Sequence, residues 1–468
     1  MSGTLKVHVG VDLGSTTTKA VVLDTSGEIL GRGITNSRSN YALASEIARE
    51  EARVSARFAL LDRALAADDL LATDADRFRN RLLTLFRQRQ HVTQLGRLRE
   101  VSLAEAHADR VKHIRDGLLG RLRDIFDALE RDANAPSIET MLASEKRSSD
   151  FFRDRAGSAF SRLAEASGAS CSGAGGSSVC GEGKRTHVTF DDLMGIFDKA
   201  IIQVENTPID LTFEGNIRDA LDACTHGLPE ALRERFRRAV DTVVGRSIEE
   251  VRTVGTGYGR QTLPFDRRDV RSEILCHGLG AHRQFPTTRT VLDIGGQDTK
   301  AIQVDGSGIV TSFQMNDRCA AGCGRYLGYI ADEMSLGVHE LGPLAMKSTR
   351  RVKISSTCTV FAGAELRDRL SLGDRREDIL AGLHRAIILR AMALLARSGG
   401  IEETFTFTGG VANNAAAVKA LRQLVQENYG ERTLNISPGS IYTGALGAAL
   451  FAQRGEDDEA RPGQEVAA

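Results

Sequence analysis

Three short segments set glycines and small polar residues beside what reads as the end of a buried strand. They are Asp12-Leu13-Gly14-Ser15-Thr16-Thr17-Thr18-Lys19, Asp293-Ile294-Gly295-Gly296-Gln297-Asp298-Thr299-Lys300 and Thr408-Gly409-Gly410-Val411-Ala412-Asn413-Asn414. Glycine lets backbone N–H groups approach a ligand closely, and a hydroxyl or carboxylate then holds a phosphate oxygen or a hydrated cation. Each segment alone is a weak signal, because glycine is also the default residue of ordinary turns. The three together, in this order, are far more specific than any one of them. Gly181-Glu182-Gly183-Lys184 resembles a P-loop only faintly, since Arg185 stands where Ser or Thr is needed.

A second chemistry lies in the cysteines. Cys319 and Cys323 fall within Asn316–Leu327, and Cys358 within Ser355–Ala362, each where a helix is expected to begin. Helix N-termini carry partial positive charge and free N–H groups, which favour thiolates and suit an anionic iron–sulfur cluster. Cys323 follows Cys319 at helical i, i+4 spacing, which leaves open both a ligand and a packing role. Cys171 and Cys180 sit in the Gly/Ser-rich stretch 167–183 and read as linker cysteines. Cys276 and His277 are adjacent, so on a helix they point about 100° apart and read as structural.

Bulk properties narrow the partners. The 468 residues are 41% hydrophobic, enough for two or three domains with real cores. Sixty-one basic against 62 acidic residues leave a net charge of -1, so no overall field draws the chain to nucleic acid or an anionic membrane. The absence of Trp argues against base-stacking platforms. No signal-peptide h-region opens the chain, and no run approaches the roughly 20 apolar residues of a membrane span, so a cytoplasmic location is expected. In a reducing compartment, seven cysteines are metal or redox ligands before they are disulfides.

The elements that must position these groups follow from periodicity. Val7–Val11 and Ala20–Leu23 read as strands joined by a turn over 14–18, and Val291–Ile294 before Gly295-Gly296 repeats that design, suggesting two related halves. From about 42 to 165 the apolar residues recur at helical spacing on charged-surface helices, and helices resume near Phe190 and Leu232. The expected organisation is a first ATPase domain beginning over 1–41, a helical insertion over 42–228 whose charge runs read as a solvated face or a docking surface, and the rest of the first domain over 229–288. A second domain over 289–436 and a returning helix with a tail over 437–468 complete it.

The three glycine segments, in this order, resemble the two phosphate segments and the adenosine segment of the superfamily of acetate and sugar kinases, heat-shock chaperones and actin. The resemblance implies an α/β fold: a two-domain actin-like ATPase with ribonuclease H-like halves, each a mixed sheet flanked by helices, carrying a large helical insertion in the first domain. It implies that Asp12 and Asp293 hold hydrated Mg²⁺, with Gln297 beside them at the catalytic site. It further implies that Gly14, Ser15, Thr16, Thr17, Lys19, Gly295 and Gly296 contact the phosphates of ATP, and that Gly409, Gly410 and Asn413 lie at the adenosine.

The cysteine segments resemble those of the BadF/BadG/BcrA/BcrD ATPase family, which comprises activators of 2-hydroxyacyl-CoA dehydratases and ATP-binding subunits of benzoyl-CoA reductase. That resemblance implies that Cys319 and Cys358 ligate a 4Fe–4S cluster shared with a second ATPase chain. The stretch Thr35–Tyr41 and the insertion that follows resemble the larger ATP-binding subunit of benzoyl-CoA reductase. The expectation is therefore an electron activator that works with a smaller paralogous ATPase subunit, two CoA-ester-binding catalytic subunits and ferredoxin as donor. An activator of a 2-hydroxyacyl-CoA dehydratase is the alternative. A sugar kinase or a chaperone-like switch would share the glycine segments but have no use for Cys319 and Cys358.

Overall fold

The computed structural model describes residues 4–37, 40–134, 152–169, 187–207, 213–258, 265–316, 323–334, 336–354 and 359–459. Two compact units divide the chain, one running from Arg57 to Ser247 and the other formed by Thr4–Ala56 together with Ile248 onward.

The second unit opens with β1 (Leu5–Leu13), β2 (Thr17–Asp24) and β3 (Ile29–Asn36). From Val7 to Leu13 every β1 residue is buried, because both faces of the strand are covered and alternation gives way to a continuous apolar run. The strands reach closer to the tip than the sequence suggests, leaving only Gly14–Thr16 outside them. Helix α1 (Tyr41–Ala66) follows, and its residues Ala48 and Ala52 pack so closely on β3 that a Cβ at Gly31 or Gly33 would strike their backbone.

The helical unit contains the end of α1 and then α2 (Ala75–Glu105), α3 (Arg115–Asn134), α4 (Phe152–Ala169), α5 (Phe190–Glu205), α6 (Phe213–Thr225) and α7 (Glu230–Val244). Its interior rests on aromatic pairs: Phe58 meets Phe86 and Phe213 edge-on at 5.5 Å, and Phe78 stacks on Phe236 at 3.7 Å. A reciprocal Thr189–Asp192 capping box starts α5.

The chain then returns to the sheet-containing unit through β4 (Ile248–Gly257) and α8 (Glu273–Gln284), and continues through β5 (Thr290–Ile294), β6 (Thr299–Val304) and β7 (Val310–Asn316). Next come α9 (Gly324–Glu333), α10 (Val338–Ala345), α11 (Thr359–Ser371), α12 (Arg376–Ser398), β8 (Thr404–Thr408), α13 (Ala415–Tyr429), β9 (Thr433–Asn435) and α14 (Thr443–Glu459).

The sheets have the orders β3-β2-β1-β4 and β7-β6-β5-β8-β9. In each, a central strand pairs antiparallel with the next strand of the chain and parallel with a distant one: β1 with β2 and β4, β5 with β6 and β8. The shared pattern is the duplication that the repeated glycine design suggests. Helix α14 returns to the first sheet, packing on β1, β4 and α8. Helix α12 has the length and apolar composition of a membrane-spanning segment, unlike the expectation from sequence. Most of it lies in the core against β6, α10 and α13, and that burial accounts for its composition.

Candidate nucleotide site

Each sheet ends its central strand in a carboxylate paired with a lysine. Asp12 on β1 stands opposite Lys19 on β2, and Asp293 on β5 opposite Lys300 on β6. Directly opposed residues of an antiparallel pair share a face, so the register delivers each ammonium to its carboxylate. Lys19 Nζ is 3.6 Å from Asp12 Oδ2, and Lys300 Nζ is 3.3 Å from Asp293 Oδ2. Both aspartates are buried, at 3% and 1% exposure.

Their surroundings differ. Asp293 Oδ1 accepts a 2.8 Å hydrogen bond from Thr408 Oγ1 and lies 3.2 Å from His277 Nδ1. Lys300 also reaches Asp298 Oδ2 at 2.8 Å and Glu273 Oε1 at 3.0 Å. Burial alone would push the Asp293 carboxyl up, but the His277 and Lys300 cations and the Thr408 hydroxyl outweigh it and hold the group well below the usual carboxylate range. Burial likewise opposes charge on Lys300 and His277, yet neighbouring carboxylates, Asp293 above all, raise both. Asp12 Oδ1, by contrast, is buried with no hydrogen-bond partner. A buried carboxylate oxygen left unpaired is costly unless a ligand satisfies it.

The two hairpin tips meet. A Cβ at Gly296 would stand 2.2 Å from Thr16 Oγ1, so the first tip's hydroxyl lies on the second tip's backbone. Ser15 and Thr17 are half-buried beside Thr16, and Gln297 is half-buried beside Gly296. Ser37 braces the first tip: its N–H donates to Thr16 O at 2.9 Å, and its hydroxyl bonds Gly14 O and the Thr18 hydroxyl. Asn40 accepts from Leu43 N at 3.1 Å near the start of α1. The described residues of the Thr35–Tyr41 stretch thus support a loop and a helix start.

Glycines at two further strand ends permit close approach. Gly257 (φ +94°) ends β4, where a Cβ would stand 2.7 Å from Asp12 Oδ1. Gly409 (φ +86°) follows β8, where a Cβ would lie 2.3 Å from Ile294 O. Gly410 has open space at its Cα, with nothing nearer than Ile441 at 3.9 Å. Asn413 is exposed, and the neighbouring Asn414 caps α13 by accepting from Ala416 N and Ala417 N.

Lys300 and Glu273 join this cluster without a role assigned from the sequence, and His277, read there as structural, stands against Asp293 and Glu273. The recurrence of Lys at one distance after each strand-end aspartate was the available signal for Lys300. Nothing in the sequence brings α8 to β5, so His277 and Glu273 had none. Cys276 behaves as expected of a structural thiol, buried and pushed up to about 12 by that burial.

Four carboxylates, Asp12, Asp293, Glu273 and Asp298, face Lys19, Lys300 and His277. The acidic excess and the orphaned Asp12 oxygen fit a hydrated Mg²⁺. Among the described residues no three His, Cys, Asp or Glu side chains form a direct metal cage, and Mg²⁺ commonly uses one or two carboxylates, phosphates and water instead.

Cys319 and Cys358 lie outside the described residues, as do Cys171 and Cys180. Helix α11 begins one residue after Cys358. Helix α9 begins at Gly324 with Cys323 as its extended N-cap residue. Cys323 therefore precedes the helix, and the expected helical i, i+4 relation to Cys319 does not apply. The first two amides of α9 bind the second glycine tip: Gly324 N donates to Gly295 O at 2.8 Å and Arg325 N to Gly296 O at 2.7 Å.

Two mixed sheets of like order, flanked by helices and each carrying a strand-end aspartate and a glycine tip, define an α/β fold of the actin-like ATPase kind. Residues 9–452 match the BadF/BadG/BcrA/BcrD ATPase family, and the chain belongs to it. It is 45% identical over 202 residues to the (R)-2-hydroxyglutaryl-CoA dehydratase activating ATPase of Acidaminococcus fermentans, covering 43% of this chain and 75% of that protein. It is 32% identical over 221 residues to one of the benzoyl-CoA reductase subunits of Thauera aromatica, covering 47% and 77% respectively. A solved activator of 2-hydroxyisocaproyl-CoA dehydratase from Clostridium difficile with bound ADPNP aligns with 99% of this chain and 100% of its own, at 21% identity and a TM-score of 0.49.

Proposed function

We propose that this chain is the ATP-hydrolysing activator of a 2-hydroxyacyl-CoA dehydratase, converting nucleotide turnover into delivery of low-potential electrons. The observation that carries the mechanism is the pair of hydrogen bonds from the α9 amides to Gly295 and Gly296. They tie a phosphate-binding tip to the helix that follows the Cys319 segment.

The substrate class rests on likeness: 45% identity to a dehydratase activator against 32% to a benzoyl-CoA reductase subunit. This ordering reverses the expectation from Thr35–Tyr41. Within that stretch Ser37 supports Gly14 and Thr16 and Asn40 starts α1, a role independent of any acyl-CoA.

In this reading Gly14–Thr17 and Gly295–Gln297 cradle the ATP phosphates, and Lys19 adds charge beside them. Asp12 and Asp293 hold hydrated Mg²⁺, and Gln297 orients the attacking water, while the adenosine lies along Gly409, Gly410 and Asn413. Cys319 and Cys358 from each of two chains would hold a 4Fe–4S cluster, which would supply one-electron transfer. The second chain is a copy of this one or a smaller paralogous subunit, the donor is a ferredoxin, and the recipient is the acyl-CoA-binding enzyme.

Loss of the γ-phosphate relaxes the Gly295–Gln297 tip, and its two hydrogen bonds carry that shift to α9. Each is worth roughly 1 kcal/mol net, so the tip and helix move together more readily than apart.

Anaerobic purification with iron and nucleotide assays tests the reading. Wild-type protein should be brown and hydrolyse ATP, and it should support electron delivery to a 2-hydroxyacyl-CoA dehydratase. Asp12→Ala should abolish ATP-dependent reduction while keeping cluster absorbance. Colourless, iron-free wild type in the presence of its partner ATPase chain would overturn the cluster. Electron delivery to benzoyl-CoA reductase alone would overturn the substrate class.

A further inference from the structure

Helix α8 joins the two sheets in sequence, and one of its side chains stands between their aspartates. The helix crosses α14 closely: a Cβ at Gly280 would lie 2.1 Å from Thr443 O, and one at Gly447 1.9 Å from Cys276 O. That approach brings His277, 5% exposed, into the space between the strand ends. Its Nδ1 is 3.2 Å from Asp293 Oδ1 and its Nε2 is 3.8 Å from Glu273 Oε1. Nδ1 stands within 3.2 Å of Asp293 Oδ1 without completing a hydrogen bond, a polar contact between two buried groups.

On the other side, a Cβ at Gly444 would stand 2.8 Å from His277 Nε2 and 3.0 Å from Asp12 Oδ2. The imidazole and the Asp12 carboxylate therefore border one small space that only a residue without a side chain leaves open. Asp12 Oδ2 faces Lys19 and this space, while Oδ1 has no protein partner.

We propose that His277 is a positioning residue of the nucleotide site: by standing against Asp293 and beside Asp12, it fixes the separation of the two carboxylates that hold hydrated Mg²⁺. The inference rests on the ATPase reading. His277 acts through Asp12 and Asp293, against which it stands. Its companion Cys276 plays no part, since the two side chains diverge and Cys276 packs with Val254, Ala448 and Ala452.

Holding two carboxylates at a set distance matters because displacement of a reacting group by about 1 Å costs on the order of 100-fold in rate. His277→Leu removes both ring nitrogens and keeps the apolar bulk. His277→Asn keeps an N–H donor near the Nδ1 position. Gly444→Ala leaves both side chains in place but drives a methyl group between them.

The experiment measures steady-state ATP hydrolysis, Mn²⁺ binding to the ADP complex by electron paramagnetic resonance, and melting temperature for all three variants. His277→Leu and Gly444→Ala should lower kcat at least tenfold and weaken Mn²⁺ binding several-fold, with a smaller change in the KM for ATP. His277→Asn should recover most of both losses.

Wild-type Mn²⁺ affinity and kcat in His277→Leu would overturn the proposal. So would equal losses in His277→Asn and His277→Leu accompanied by a collapse of melting temperature, which marks a purely structural residue. If His277→Leu fails to fold, Gly444→Ala decides alone: unchanged Mn²⁺ affinity overturns the proposal. A wild-type protein without ATP turnover would instead sink the ATPase reading on which the inference stands.

Discussion

Replacing Lys300 with Met removes a cation that is 1% exposed and lies 2.8 Å from Asp298, 3.0 Å from Glu273 and 3.3 Å from Asp293. Methionine fills the same volume, so the main loss is electrostatic. Removing one partner from a buried ion group costs about 3–5 kcal/mol, because the remaining charges stay buried and uncompensated. A drop in Tm of about 3–5 °C follows for a chain of this length.

The pH dependence gives the sharper test. In the native protein burial opposes the Lys300 charge, but three carboxylates raise its pKa well above 10.5. A raised base contributes stability that is complete below the unfolded value and lost as pH rises through the folded one. Asp293 is depressed below 3.8, so its contribution is present above that value and lost as pH falls toward the lower folded pKa. The wild type therefore draws stability from this group throughout the neutral range.

Without Lys300, Asp293 keeps His277 but loses its second cation, and Asp298, already raised by burial, loses the ammonium that lowers it, so the folded pKa of both aspartates rises. The native state of Lys300→Met then binds more protons than its unfolded state above about pH 4, the unfolded carboxylate value, which makes stability fall as pH rises. Chemical denaturation at about pH 5 and pH 7.5 should show a deficit that is larger at the higher pH. A deficit under about 1 kcal/mol, or one equal at both pH values, would refute the electrostatic account.

Three further outcomes follow from particular atoms. Asp12→Asn should abolish ATP turnover at a smaller stability cost than Lys300→Met, because it gives up only the 3.6 Å pairing of Oδ2 with Lys19 while Oδ1 has no protein partner to lose; a loss above about 3 kcal/mol by urea titration would contradict this. Gly296→Ala should weaken nucleotide binding at least tenfold, since its Cβ would meet Thr16 Oγ1 at 2.2 Å. Adding Thr16→Gly should restore much of that affinity, and fluorescent-nucleotide titration of the double-mutant cycle reads the coupling. Gly409→Ala should cost about 2–5 kcal/mol in unfolding, combining left-handed strain at φ +86° with a clash against the Ile294 carbonyl.

The candidate nucleotide site was legible in the sequence to the extent that it is local. Asp12 with Gly14–Lys19, and Asp293 with Gly295–Lys300, are single hairpins, and a strand end followed by glycine and hydroxyl residues dictates its own turn. The repeat of one hairpin design also foretold two sheets of like order. Thr35–Tyr41 was legible as a motif, but its meaning was not: Ser37 acts on Gly14 and Thr16, more than 20 residues earlier, through contacts that appear only when β3 pairs with β2.

Tertiary structure alone decided which groups converge. His277 and Glu273 reach Asp293 and Lys300 because α8 crosses α14 at glycines and packs on β5 and β6, a contact that no spacing along the chain encodes. It also distinguished the two aspartates, which the sequence presents as equals: Asp293 is enclosed by Thr408, His277 and Lys300, whereas Asp12 keeps one oxygen unpaired. The types of group present were written in the chain, because strand ends and glycine turns are short-range structure. Their charge balance and their freedom to take a ligand were not, because burial and pairing are sums over neighbours that folding brings from hundreds of residues away.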